Sequence, residues 1–252
     1  MQRGRGLGHG GAFHGKHRCY WSRAQWTIGQ SFNRLADVTS SPAATRIRKP
    51  PAERREEILT HAAAIALEGG LERITLRAVA ERLGVRPGLI THYFPAAEDL
   101  VIEAFVRAAV HEREQFFPTS GEPLDRMAHF IAHVESGAST PLARLWLNAR
   151  HLSRFSPALE AALQEQDALD RERLTEIIED GMRTGRFPVP DAEAACIRIL
   201  IAVDGSGSYV NSASEAMHPA QRHVVADMAD WALGLEAGTL RAAAGALRHP
   251  IG

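Results

Sequence analysis

Cysteine is nearly absent from this chain: Cys19 and Cys196 are the only two in 252 residues. They lie far apart and form neither a CxxC pair nor a disulfide framework, a usage that fits a reducing cytoplasm. No run of eighteen apolar residues exists, so no ordinary transmembrane helix is expected. The opening stretch MQRGRGLGHGGAFHGKHRCY is basic but has no apolar central region, so it does not read as a secretory signal. Period-two alternation of useful length is missing, which leaves little room for β-structure. There is no Ser-His-Asp set, no P-loop and no Gly-rich nucleotide fingerprint, so an enzyme reading has no residues to rest on and no cofactor is expected.

What is present is a strong charge asymmetry beneath a formal net charge of −1. Residues 1–49 carry nine basic side chains against Asp37 alone. Residues 50–96 balance six arginines with six glutamates, and residues 97–252 set fourteen arginines against twenty-three acidic groups. A basic front and an acidic back suggest a polyanionic partner at one end only.

Residues 1–49 are rich in Gly, Arg, His and Ser without sustained periodicity and read as a disordered basic extension. A start near Val38 is the alternative beginning of the chain, which leaves open whether residues 1–37 belong to the natural protein. His9, His14, His17 and Cys19 are residue types that ligate metal. Nothing in their Gly-rich surroundings would fix a coordination geometry, so no metal site is expected there.

Order should begin at AERREEILTHAAAIALEGG, where Ile58, Leu59, Ala62, Ala63, Ile65 and Ala66 fall on one broad helical face. Gly69 and Gly70 stop that helix. Thr75 caps a second, with Leu76, Val79, Ala80 and Leu83 inward, and Gly84 ends it. Pro87 suits the first turn of a third helix, and Arg86, pushed out of helical geometry by the following proline, becomes its N-cap. A fourth helix starts near Ala96. Further helices are expected at about 123–136, 141–152, 157–185, 191–213 and 219–234, with breaks at proline- and glycine-containing stretches. Residues 236–252 read as a frayed helix or tail. The chain is all-α.

The third helix, Pro87 to Phe94, is too short to be stable alone and carries Thr91, His92 and Tyr93 among its apolar residues. Two helices joined by a tight Gly-containing turn make a helix-turn-helix, whose second helix can be short because it enters a DNA major groove. Arg86, Pro87, Gly88, Leu89, Thr91, His92 and Tyr93 are suited to reach phosphates, base edges and thymine methyls. Ile90 and Phe94, four apart, form its inward anchor. A three-helix cap on a larger bundle is the plainer reading of the same pattern.

The stretch ILTHAAAIALEGGLERITLRAVAERLGVRPGLITHYFPAAEDLV resembles the DNA-binding domain of the TetR (tetracycline-repressor-type) family of bacterial transcription regulators, over about residues 53–102. The matching positions are Gly70, Thr75, Val79-Ala80, Gly84-Val85, Gly88, His92-Tyr93-Phe94 and Glu98 to Leu100. Arg86 stands where the family usually has Ser or Thr, Thr91 where Tyr is common, and Pro95 in place of a frequent Lys. The resemblance implies that Thr75 and Tyr93 contact phosphate, that Arg86, Leu89, Thr91 and His92 face the groove, and that Gly88 lets the helix approach the DNA backbone. Arg77 and Arg82 can equally be plain solvated positions.

The resemblance also implies a head at 50–98 and a larger helical domain at 99–235 that dimerises and binds an effector. The stretch DAEAACIRILIAVDGSGSYVNSAS is apolar on more than one face and needs cover on both sides. Ala202, Gly205 and Tyr209 are its expected dimer contacts, with AQRHVVADMADWALGL as partner helix in a four-helix bundle across a two-fold axis. Asp204, inside that helix, should accept a hydrogen bond from a neighbouring helix or line a pocket. Residues from Trp146 to Phe187, with Asp204-Gly205, are similar to the betaine-regulator-like C-terminal type within the family. Pocket candidates are His129, His133, Trp146, His151, Phe155 and Met182, with Phe130 and Asn148 beside them; any one of them can instead be plain core. The expected protein is a cytoplasmic homodimeric repressor, released from a double-stranded DNA operator by a small molecule. A helical ligand-binding or adaptor protein with a non-functional DNA-binding head is the alternative.

Overall fold

Every regular element is helical among residues 49–211 and 218–248, the residues described by the computed structural model. The expectations for residues 1–48 lie outside that range. Helix α1 spans Pro51–Gly69, and a 3-10 turn at Leu71–Arg73 leads to α2, Leu76–Leu83. Then come α3, Pro87–Tyr93, and α4, Ala97–Phe116. The body adds α5 (Pro123–Glu135), α6 (Thr140–Leu152) and, after a 3-10 turn at Ser153–Phe155, α7 (Pro157–Arg183). Helix α8 (Ala192–Gly207), the single-turn α9 (Pro219–Arg222), α10 (Val224–Ala232) and α11 (Thr239–Arg248) complete it.

Local chemistry accounts for most boundaries. Gly84 ends α2 in the left-handed region at φ 64°, a conformation that costs glycine nothing. Asp191 accepts from the Ala194 N–H at 2.9 Å and caps α8. Helix α8 is shorter than expected, ending at Gly207 rather than near 213. Gly205, Ser206, Gly207 and Ser208 are poor helix formers, and together they end it. The expected helix over 219–234 is broken at His223, which is the N-cap of α10.

The expected tail at 236–252 is corrected by α11. Leu240 and Ala244 are buried, and α11 packs along α5. Its first turn is held from outside: the Asp230 carboxylate accepts from Gly238 N–H at 2.7 Å and Leu240 N–H at 3.0 Å. Asp230 is itself 1% exposed, so α10 carries the acceptor that orders the C-terminal helix.

Two apolar cores organise the molecule. One lies between α1 and α4 and contains Ile58, Ala62, Leu100, Ala104 and Phe105 together with Leu142, Leu145 and Ala149 of α6. The expected boundary at residue 98 is therefore not a seam, because the head and the body share this core. The second core joins α5, α7, α8, α10 and α11 around Met127, Ile131, Ile177, Ile199 and Val225. Polar ties reinforce the first. Arg55 donates to Glu103 at 2.6 Å, and Arg107 pairs with Glu56. The Asn148 side chain on α6 accepts from the Leu71 N–H at 2.7 Å and donates to Glu72 at 2.8 Å. Asn148 is thus a junction residue, not a pocket residue: its helical phase turns it toward the head.

Two stability outcomes follow from this packing. A Cβ on Gly181 would lie 1.9 Å from Cδ2 of Phe187, which is 1% exposed and cannot swing away. Gly181→Ala should lower stability by about 1–3 kcal/mol in a denaturant titration. Asn148→Ala leaves the N–H of buried Leu71 without its acceptor and should cost about 1–3 kcal/mol in the same measurement.

Candidate nucleic-acid interface and ligand cavity

Helix α3 has seven residues and depends on its neighbours for support. Ile90 and Phe94 are 0% and 1% exposed and pin it against α1 and α2. The Arg55 guanidinium sits 4.9 Å above the Phe94 ring, so the anchor is covered from the α1 side. The start is set by Arg86, extended at ψ 141°, with Pro87 in the first turn. The Thr75 hydroxyl accepts from Ala78 N–H at 3.0 Å, fixing the start of α2.

Most of the remaining side chains of α3 are open to solvent, while Tyr93 packs partly against the first core. Arg86, Pro87, Thr91 and His92 are exposed, Leu89 and Tyr93 partly so. His92 and Tyr93 meet edge to face at 5.3 Å. A Cβ at Gly88 would meet nothing within 4 Å, so its open backbone faces outward. Thr75, at the start of α2, is exposed as well. Arg77 and Arg82 behave as ordinary surface charges, donating to Glu81 at 2.8 Å and to Glu68 at 2.6 Å.

The body holds a partly open cavity of about 700 Å³ between α4, α5, α6, α7 and α8, with α9 at its edge. That is the size range of small-molecule sites. Phe116, Phe117, Phe130 and Trp146 supply its aromatic wall. The charged wall was not foreseen. Arg150 donates to Asp167 at 3.2 Å and to Asp204 at 3.2 Å. Arg113 donates to Asp170 at 2.5 Å and to Gln166 at 2.9 Å. Burial pushes the Asp170 carboxyl up to about 6, even against the opposing pull of Arg113. Burial also raises Asp204 above the usual carboxylate range, with Arg150 opposing. Asp204 thus meets both expectations for it, an interhelical hydrogen bond and a place in the cavity lining.

Of the six pocket candidates, Trp146 lines the cavity and the others do not. His129 turns to the Gln115 carbonyl at 2.9 Å. His133 stands behind Phe116, edge to face at 4.4 Å. Met182 packs against the second core. His151 and Phe155 lie at the outer end of α6, with Phe155 73% exposed. Helical phase is the reason: on α6 the cavity face is Ala143, Trp146, Leu147 and Arg150. One signal could have exposed the charged wall, the Asp167 and Asp170 spacing next to apolar positions of α7, which puts both carboxylates on one face.

The expected dimer contacts divide. Gly205 and Tyr209 are exposed, whereas Ala202 is 9% exposed and belongs to the inner side of α8. Ile201 (65% exposed) and Tyr209 stand at the open edge of the cavity, and Trp231 of α10 (63% exposed) lies under the Arg198 guanidinium. Among the described residues, no helix is long and apolar enough to cross a membrane.

Known proteins resemble this arrangement in part and as a whole. Residues 58–104 match the family model for bacterial regulatory proteins, tetR family. The HTH-type transcriptional repressor KstR of Rhodococcus jostii is 36% identical over 84 residues, 32% of this chain and 39% of that protein. The KstR of Mycolicibacterium smegmatis is 46% identical over 55 residues, 22% of this chain and 27% of its own. The chain therefore spans well under half the length of these curated relatives. Two solved structures are similar over most of their length. A TetR transcription regulator from Haloarcula marismortui has a TM-score of 0.60 at 17% identity, covering 73% of this chain and 97% of its own. A transcriptional regulator from Saccharomonospora viridis, solved in complex with choline, has a TM-score of 0.59 at 20% identity, covering 70% and 95%. At such identities the likeness is one of fold. The head at residues 58–104 is thus similar to the bacterial regulatory proteins of the tetR family, and the fold of the whole is similar to that of solved regulators.

Proposed function

We propose that this protein is a DNA-binding transcriptional repressor that acts as a homodimer and leaves its operator when a small molecule fills the body cavity. It works by binding, without catalysis, and in the cytoplasm. The observation that carries the reading is α3 itself. Its apolar side chains, Ile90 and Phe94, are buried, and its polar and aromatic ones are presented outward together. A helix enclosed within a core would be apolar all round, whereas this one leaves Arg86, Thr91 and His92 to solvent.

Double-stranded DNA accepts such a helix in its major groove, and two copies must lie about 34–36 Å apart to enter successive turns. The outer face of α8 and α10 suits the two-fold contact. Ile201, Gly205 and Trp231 are exposed on these two helices, and apolar and small residues of this kind suit cover by a second copy. The cavity can influence the spacing through α6. Trp146 and Arg150 face the cavity, while Asn148 on the same helix holds the Leu71 N–H of the head. A ligand shifts this equilibrium only by its differential affinity for the two head separations.

The direct test is salt-dependent binding to DNA flanking the protein's own gene, by fluorescence anisotropy. Specific binding should exceed scrambled duplex by about a thousandfold or more. Equal affinity for both duplexes would favour a helical binding protein with a non-functional head.

Within that assay, Tyr93→Phe and His92→Ala should differ. Removing the Tyr93 hydroxyl, a phosphate contact, should weaken operator and scrambled duplex by the same factor, about three- to tenfold. His92→Ala should weaken the operator more than the scrambled duplex. Identical losses for both variants on both duplexes would remove the distinction.

Gly205→Leu tests the dimer. A Cβ there meets nothing within 4 Å of the chain's own atoms, so the monomer should fold with unchanged circular dichroism. Sedimentation should report a monomer, and operator affinity should fall by about a hundredfold or more once two heads no longer bind as one. A variant that sediments as a dimer with normal affinity would put the interface on another surface.

A further inference from the structure

Arg113 is the more enclosed of the two arginines that pair across the cavity, its side chain 11% exposed against 38% for Arg150. Both of its partners belong to α7. Nε donates to Asp170 at 2.5 Å, and Nη2 donates to the Gln166 side chain at 2.9 Å and to the Gln166 carbonyl at 3.2 Å. One turn further along α4, Phe116 and Phe117 line the same space, together with Trp146 of α6. A guanidinium beside an aromatic wall suits a carboxylate carried on an apolar body, because its fork matches two oxygens and the rings cover the rest.

Asp170 already occupies that fork, and it is a weak holder. Burial pushes its carboxyl up to about 6, and Arg113 keeps it from rising further. Asp167, one turn earlier on the same face of α7, is a like charge that also favours the protonated form. Asp167 is itself tied to Arg150, which also holds Asp204 of α8. The remaining charged groups of the lining are engaged elsewhere or open to solvent. Glu112 turns to His133, Glu135 accepts from His223 and the Ala226 N–H, and Arg171 and Arg222 are exposed at the edge. A group that took Arg113 away would therefore leave Asp170 without its opposing cation, and Asp170 would gain a proton.

We propose that the cavity binds a carboxylic acid with an apolar body by exchange: the ligand carboxylate replaces Asp170 on Arg113, and Asp170 takes a proton from solution. One carboxylate enters as another is neutralised, so the wall keeps its net charge. This exchange deepens the reading of the cavity as an effector site and rests on it. It also fixes a pH dependence. Ordinary carboxylate ligands stay ionised above about pH 6, so each one bound brings one proton with it. Affinity then rises as pH falls, by up to about tenfold per pH unit, until Asp170 is protonated in the free protein as well.

The test titrates 4-phenylbutyrate and the neutral 4-phenylbutanol calorimetrically into the full chain without DNA. Butyrate affinity should fall about tenfold from about pH 6 to about pH 7.5, while alcohol affinity stays constant. Two buffers with different heats of ionisation should report uptake approaching one proton per butyrate at neutral pH. Asp170→Asn, which cannot ionise, should bind butyrate at both pH values about as tightly as the wild type does in acid, with no proton uptake. Arg113→Gln should weaken butyrate about tenfold or more and leave the alcohol unchanged. Butyrate affinity independent of pH in the wild type, no preference for butyrate over alcohol in the Asp170→Asn protein, or no butyrate binding at millimolar concentration overturns the exchange. Undiminished butyrate binding by Arg113→Gln also overturns it and moves the anchor to the exposed arginines at the edge. Adding butyrate to the protein–operator complex reads the regulatory role separately: proton-linked binding without release of DNA would sustain the exchange and remove the cavity's part as effector site.

Discussion

The apolar contact between α1, α4 and α6 is the constraint on which the remaining structure depends. Ile58, Ala62, Leu100, Ala104, Phe105, Leu145 and Ala149 form one core that belongs to the head and the body at once. Large and small side chains alternate across it, so the helices approach closely and any shift of one is felt by the others. Helix α3 has no lasting structure without this frame, because seven residues cannot offset their own ordering cost. Its outward surface is therefore a product of packing that occurs elsewhere.

The same core gives α6 two faces with different duties. One face meets the cavity through Trp146 and Arg150, and another holds the head through Asn148. A helix clamped on both sides transmits displacement better than a loop, since a packed core resists gradual deformation and prefers discrete arrangements. Glu98 at the start of α4 accepts from Ser156 Oγ at 2.5 Å, a second polar tie between the head and the start of α7.

The body differs from the head in how it handles charge. Around α3 the ion pairs are exposed and contribute little to stability. In the cavity Asp170 is largely buried and is raised by that burial despite facing Arg113, whereas Asp204 stands nearer solvent.

The all-α class, the order of helices and the helix-turn-helix were readable from residues in sequence, because each rests on local rules. Thr75 caps, Gly84 turns left-handed, Pro87 opens a helix, and Ile90 and Phe94 recur at a spacing of four. The outward set from Arg86 to Tyr93 followed from the same periodicity. The extent of α8 was misread because four small polar or glycine residues interrupt an otherwise apolar run. Residues 236–252 read only as a frayed helix or a tail, because the acceptor that orders α11, Asp230, lies on another helix. The ligand candidates were drawn from unusual residue types, yet which of them meets the cavity depends on the rotation of α5, α6 and α7 against one another. Only tertiary packing decided that Trp146 faces inward, that Asn148 turns to the head, and that Glu112, Arg150, Asp167 and Asp204, four ordinary surface residues in the sequence, converge on one space. Local periodicity specifies a helix and its apolar stripe; the meeting of polar groups from four helices is set by how those stripes pack.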